Sequence, residues 1–344
     1  MKTYADHVHK MVDWHTSDST GSKYWISRKL SGWSRELIVK WFLDGVPPKG
    51  FSELEKDFRT RPIEDFIPSG IAKTKIAGFF ESGGTTGVPK RVILGEEWAN
   101  ELIDWSASRM LEWGHHPGRN WLVSVPTGPH VVGELSIRGA RKEGAQAFRI
   151  DVDPRWAKNA ASYGGNVDGY SQHLIDQMKN VLLTQDVGCI ITTPPILQNL
   201  VRDNQLVDVI NENHISIRWG GMPFDNESEM FMRDVIFPRL PFFGVLGNTM
   251  TLGFGVEVPV DLSSKKTEQW FSFHAPFTKL FICGEDEDAF WETGEGRLAY
   301  AHASKTHLYP PMPDRDFGII AADGLVSLSN QQIVAKENFI NGVY

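Results

Sequence analysis

Between residues 96 and 245 two periodicities alternate along the chain, and that alternation leaves few folds open. Short apolar runs at 121–125, 147–150, 187–192, 215–219 and 242–245 read as buried strands. Between them, 96–113, 132–141, 171–185 and 227–239 read as helices; in 171–185 the apolar face is Leu174, Met178, Val181 and Leu182. Strands that are apolar at successive positions are covered on both faces, and intervening helices supply the crossovers of a parallel sheet. The expectation is an α/β fold with mixed, mostly parallel sheets flanked by helices. Beyond about residue 255 the runs 256–260, 279–283 and 297–301 read as strands with no convincing helix between them. A division follows into a core over 1–254 and a smaller β-rich subdomain over 255–344 that completes the site. Two helices open the chain. One covers 1–16; the other covers 34–44, capped by Ser34 and stopped by Gly45 ahead of Pro47-Pro48. Residues 51–68 alternate charged and apolar side chains and are expected to run over the surface.

Ser82-Gly83-Gly84-Thr85-Thr86-Gly87-Val88-Pro89-Lys90 lies between two further apolar runs, 76–80 and 91–94. This reads as a glycine-rich turn joining two strands. Glycine lets the backbone approach a ligand closely, and successive N–H groups in such a turn make an anion-binding concavity. Ser82, Thr85 and Thr86 add hydroxyl donors and Lys90 a point charge. That set suits a polyphosphate, although a Gly/Ser/Thr turn is also what a plain hairpin loop contains. The P-loop pattern of NTPases fails here, because Gly87 is followed by Val-Pro-Lys and then a strand. The dinucleotide fingerprint fails as well. A net charge of −8 argues against nucleic acid and against an anionic membrane surface as partners. Cys189 and Cys283 sit in apolar runs, as buried reduced thiols of a cytoplasmic protein would. No signal peptide and no membrane-spanning run is apparent.

The nine-residue turn resembles the phosphate loop of the ANL superfamily of adenylate-forming enzymes: acyl- and aryl-CoA synthetases, adenylation domains and luciferases. Weaker likenesses follow in the order that family has them, over roughly residues 50–320. Pro126 to Gly133 is similar to a segment whose His and Gly line the acyl pocket, here His130 and Gly133. Gly220-Gly221-Met222-Pro223 looks like the adenine-contacting turn, and Leu246-Gly247-Asn248-Thr249-Met250 occupies the place of Tyr-Gly-x-Thr-Glu. Pro313-Asp314-Arg315-Asp316 resembles the segment whose aspartate binds both ribose hydroxyls; Asp316 takes that role, with Asp314 as alternative. Gly294-Glu295-Gly296-Arg297-Leu298 looks like a family hairpin. Two departures stand out: Leu246 where an adenine-stacking aromatic is usual, and Met250 where a glutamate helps hold Mg²⁺. A thioether is no ligand for a hard cation.

The resemblance thus implies an ANL-type N-terminal core of the phenylacetate-CoA ligase-like kind. Its specific likeness is to EhpF-like proteins of phenazine (griseoluteic acid) antibiotic pathways. The residues after Asp316 are too few for the C-terminal lid domain that carries the family's catalytic lysine, which is therefore expected to be absent. The implied reaction is ATP-dependent activation of an aromatic carboxylic acid, with a phenazine carboxylate in view, to an acyl-adenylate. The acceptor would be an amino acid or a thiol. ATP would be bound by Ser82, Gly83, Gly84, Thr85, Thr86, Gly87, Lys90, Gly220, Gly221, Met222, Gly247, Asn248, Thr249 and Asp316. His130, Gly133, Gly244 and Leu246 would face the acid; His130, Thr249 and Lys90 would act in catalysis. Mg²⁺ is expected with ATP, though Met250 removes its usual ligand. Two rivals stay open: a protein that binds AMP or an acyl-adenylate without turnover, and a phosphotransfer enzyme using the glycine turn. No Ser/His/Asp set or Gly-x-Ser-x-Gly elbow is present, and His115-His116 lacks further ligands at metal spacing.

Overall fold

The computed structural model describes residues 3–83, 88–259 and 269–329. They form two compact units, each discontinuous in sequence. Residues 3–83, 88–102, 248–255 and 270–329 make the first; 103–247, 256–259 and 269 make the second. The strand Gly253–Glu257 contains the expected boundary near residue 254.

The second unit holds the parallel sheet. Its strands run in the order Phe242–Asn248, Ser216–Gly220, Val187–Thr192, Asn120–Val123, Ala147–Arg149, all parallel. Val187–Thr192 and Ser216–Gly220 are buried at every residue, which is why their sequences run apolar without alternation. Leu174 and Met178 of the helix Val167–Thr184 pack in one core with Leu206 and Ile210 of Asn204–Glu212 and with Ile190 and Ile217 of the sheet. The helices Pro154–Ser162, Pro194–Leu200 and Asn204–Glu212 went unread in the sequence. Two of them announce themselves by caps: Asp153 accepts from the N–H groups of Arg155 and Trp156, and Asp203 from that of Gln205. The helix expected over 227–239 is Asn226–Phe231, continued by one wide π turn, Met232–Ile236.

The first unit is antiparallel. Its strands lie in the order Phe290–Trp291, Thr278–Cys283, Gly294–Ala303, Leu308–Ile320, Val326–Leu328, Phe271–Ser272. A separate hairpin pairs Ile76–Glu81 with Arg91–Gly95. The opening helix Tyr4–Thr16 carries a Thr3/Asp6 capping box. Ser34 caps Arg35–Asp44, and Gly45 ends it at φ 66°. No other residue fits Gly45, since a Cβ there would lie 1.9 Å from the Phe290 carbonyl oxygen. Residues 51–68 lie largely at the surface, as expected, but are regular. They form the helix Glu53–Thr60, which buries Leu54 and Phe58, and a 3₁₀ turn, Ile63–Phe66. Arg28 and Arg61 hold that helix through Asp57, at 2.5 Å and 3.2 Å.

Candidate functional site

In the first unit the glycine-rich turn closes a hairpin, as the flanking runs imply. The neck is tied twice: the Ser82 N–H donates to the Lys90 carbonyl, and the Lys90 N–H donates to Ser82 Oγ, both at 2.9 Å. Gly83 is exposed. Gly84, Thr85, Thr86 and Gly87 lie outside the described residues. The Lys90 side chain is only 13% exposed, and its ammonium donates to Glu55 Oε1 at 2.5 Å. Arg59, one turn further along the same helix, donates through Nη1 to the Val88 carbonyl. Neither Glu55 nor Arg59 was singled out from the sequence. The signal was there in Leu54 and Phe58, spaced as one helical face between Ser52 and Arg61.

Pro313-Asp314-Arg315-Asp316 lies within the long strand Leu308–Ile320. Arg297 pairs with Phe317 and Ala299 with Pro313, so the acidic segment bulges out against Leu298 alone. Bulges of this kind re-aim side chains and gather at functional sites. Asp314 Oδ2 accepts from Asn248 Nδ2 at 2.7 Å, and Asp316 Oδ2 from the buried Tyr300 hydroxyl at 3.1 Å. Burial, and then the negative charge of Asp316, push the Asp314 carboxyl above the usual range; Lys90 and Asn248 pull it back. The nucleotide candidates Asn248, Asp314 and Asp316 are therefore grouped, with the charge of Lys90 felt at Asp314. Thr249 opens the short 3₁₀ turn Thr249–Thr251 and is half-buried. Met250 is fully buried, its N–H donating to Asn248 Oδ1 at 2.7 Å and its carbonyl accepting from His307 Nε2 at 2.8 Å. Among the described residues no group of three or more His, Cys, Asp or Glu is placed to hold a metal ion.

In the second unit the remaining candidates collect at the carboxyl edge of the parallel sheet, where open α/β sheets bind ligands. Gly220 ends its strand against Val245, whose Cγ2 would lie 2.5 Å from a Cβ. Gly221 turns the chain at φ 83°, and Met222 follows half-buried. His130 is buried at the N-terminus of the helix Val131–Lys142. Gly133, in the first turn of that helix, passes the backbone of Pro126-Thr127 so closely that a Cβ would lie 2.5 Å from Thr127 Cα. Leu246 is buried and Gly247 exposed. Gly244 sits against the Trp219 indole and donates its N–H to Glu257 Oε2 at 2.6 Å.

That last bond leads to a group that sequence reading missed. Arg233 Nη2 bridges Glu229 at 2.6 Å and Glu257 at 2.7 Å, with its guanidinium over the Trp113 ring. Burial raises both carboxyls, Glu229 to about 7, against the pull of Arg233. A second buried set joins the amino end of the sheet: His115 bonds Ser216 Oγ and Glu143 Oε2, each at 2.9 Å. His115 is thus a structural link, not half of a metal pair. Both cysteines are buried free thiols.

Neither a protein-family model nor a curated protein matches the chain. Solved structures do. A 2-hydroxyisobutyryl-CoA ligase in complex with 2-HIB-AMP and CoA is similar at a TM-score of 0.61 and 12% identity, over 94% of this chain and 65% of that one. ATP-bound MatB from Rhodopseudomonas palustris gives 0.51 and 14%, over 77% and 50%. The amide bond synthetase McbA from Marinactinospora thermotolerans gives 0.51 and 14%, over 75% and 49%. The chain spans about half the length of the latter two. At these identities the likeness is one of fold: an α/β core of helix-flanked sheets.

Proposed function

We propose that this chain activates an aromatic carboxylic acid with ATP. The acid's carboxylate attacks the α-phosphorus, its new O–P bond replaces the bond to the leaving pyrophosphate, and an acyl-adenylate results. The observation that carries the reading is the tied hairpin turn, with Lys90 at its neck and the Asn248–Asp314 pair in the same unit. Fold similarity to structures that hold ATP and an acyl-adenylate supports it. Ser82 and Lys90, with Thr85 and Thr86 by sequence, would hold the β- and γ-phosphates. Thr249 would meet the α-phosphate and Asp316 or Asp314 the ribose. Gly220, Gly221 and Met222 would border adenine, where the close approach at Gly220 leaves no room for a side chain. His130, Gly133, Gly244 and Leu246 would face an aromatic acid, a phenazine carboxylate being the finest form of the proposal. Catalysis would rest on positioning and on neutralising charge as pyrophosphate leaves, with no covalent enzyme intermediate.

The residues at position 250 and around it do not fit a magnesium ion held as the resemblance implies. Met250 is a buried thioether, and its backbone groups are engaged. This favours a second reading, in which the chain binds AMP or an acyl-adenylate and needs a partner for turnover. An acceptor amine or thiol would belong to that later step.

Exchange of labelled pyrophosphate into ATP, run with Mg²⁺ and a panel of aryl acids including phenazine carboxylates, tests the proposal. Acid-dependent exchange is the expected result. No exchange across the panel, with calorimetry showing bound AMP, selects the second reading. ADP among the products instead of AMP would show phosphotransfer.

A further inference from the structure

The helix Glu53–Thr60 touches the phosphate-loop candidate at two points, and the two contacts have opposite electrostatic sense. Arg59 holds the Val88 carbonyl and brings positive charge to the rim of the turn. Glu55 places a carboxylate on the Lys90 ammonium at the neck. The helix cannot drift to relax this, because Asp57 is held by Arg28 and Arg61 and Leu54 and Phe58 are buried. A Lys–Glu contact of this length satisfies the ammonium as a phosphate oxygen would, with similar charge and donor geometry.

We infer that Glu55 occupies the phosphate position on Lys90 and sets how readily Lys90 takes a polyphosphate. The inference rests on the nucleotide reading above. An incoming phosphoryl group must take the Lys90 ammonium from Glu55 and then lie beside a carboxylate of like charge. Glu55 is 37% exposed, so it can swing away once displaced, while Lys90 is nearly enclosed. Glu55 thus acts through Lys90, as a positioning residue that holds the lysine in place and keeps it from binding weak anions. Pyrophosphate and triphosphate would displace it; inorganic monophosphate, with less charge, would not.

Calorimetric titration of the full chain with ATP, and separately with inorganic pyrophosphate, tests this in wild type, Glu55→Gln and Lys90→Ala. Glu55→Gln is expected to bind both probes about five-fold more tightly, the scale of one half-exposed ion pair. It is also expected to let inorganic monophosphate compete. Lys90→Ala is expected to lose about ten-fold or more. A folding defect does not raise affinity, so tighter binding would not come from a merely structural role of Glu55. Unchanged or weaker binding by Glu55→Gln, with Lys90→Ala still deficient, overturns the inference and leaves the nucleotide reading standing. Wild-type affinity in Lys90→Ala would show that the phosphates do not meet Lys90 and overturns the inference; no binding by any of the three overturns the nucleotide reading itself.

Discussion

Lowering the pH should unfold the antiparallel unit through histidines buried in their neutral form. His15 is buried, and its Nε2–H donates to the Ser304 carbonyl at 2.8 Å, while Nδ1 has no hydrogen-bond partner. A proton added at Nδ1 would be enclosed and unpaired. Burial therefore lowers the His15 pKa to about 4 and that of His307 to about 3, and carries His302 well below its ordinary value. His307 and His15 also disfavour charge on His302, and His15 on His307. The unfolded chain takes up protons near pH 6.5 and the folded chain only near 4 or 3. Stability is thus fully present above 6.5 and falls as the pH drops toward those lower values. At pH 5 the loss is roughly 2 kcal/mol each for His15 and His307, a large share of a typical domain's stability. Urea denaturation at pH 7.5 and 5.0, followed by tryptophan fluorescence, measures it. His15→Gln, which can keep the bond to Ser304 but does not titrate, should lose roughly 2 kcal/mol less than wild type over that interval. An equal loss in wild type and variant would refute the reasoning.

Arg233→Met leaves Glu229 and Glu257 buried without their cation. Urea denaturation should show a loss of roughly 3–5 kcal/mol at pH 8 that shrinks at pH 5.5 as the carboxyls take up protons; a loss independent of pH would refute the pairing. Gly133→Ala sets a Cβ 2.5 Å from Thr127 Cα, a backbone atom that cannot yield cheaply. It should cost roughly 1–3 kcal/mol by thermal melting, and wild-type melting would contradict the close approach. Met250→Glu restores a carboxylate by sequence but encloses it, so a lower melting temperature with no gain in Mg²⁺-dependent exchange is expected. Gained exchange at unchanged stability would mean that position 250 faces the ligand.

Where local chemistry decides, the fold could be read directly. Val187–Thr192 runs apolar because both its faces are covered, and Ser34 and Gly45 bracket a helix by their own conformational preferences. The hairpin around Ser82 and Lys90 follows from two short apolar runs and the glycines between them. Where pairing decides, local reading failed. Pro, Asp, Arg and Asp favour a turn, yet pairing with Gly294–Ala303 holds 313–316 in a strand and turns the surplus residues into a bulge. Glu229 and Glu257 lie on different elements, and only the fold brings them to one guanidinium. Gly244 gave no sign of its bond to Glu257 or of its place against Trp219, both contacts between elements.

The methionine at position 250 can be understood from its neighbours. The Asn248 side chain uses its oxygen to cap the Met250 N–H and its nitrogen to bind Asp314, so position 250 stands one amide away from that carboxyl. Asp314 already sits above its ordinary pKa because it is enclosed and faces Asp316. A third carboxylate in this corner would add like charge where burial leaves little water to screen it. An apolar side chain instead lets Asp314 accept the Asn248 amide and fixes the turn on which Thr249 sits. The same side chain offers no oxygen to the magnesium ion that the proposed reaction would use. The bulge that gathers Asp314 and Asp316, and the apolar side chain at 250, are thus two sides of one charge balance.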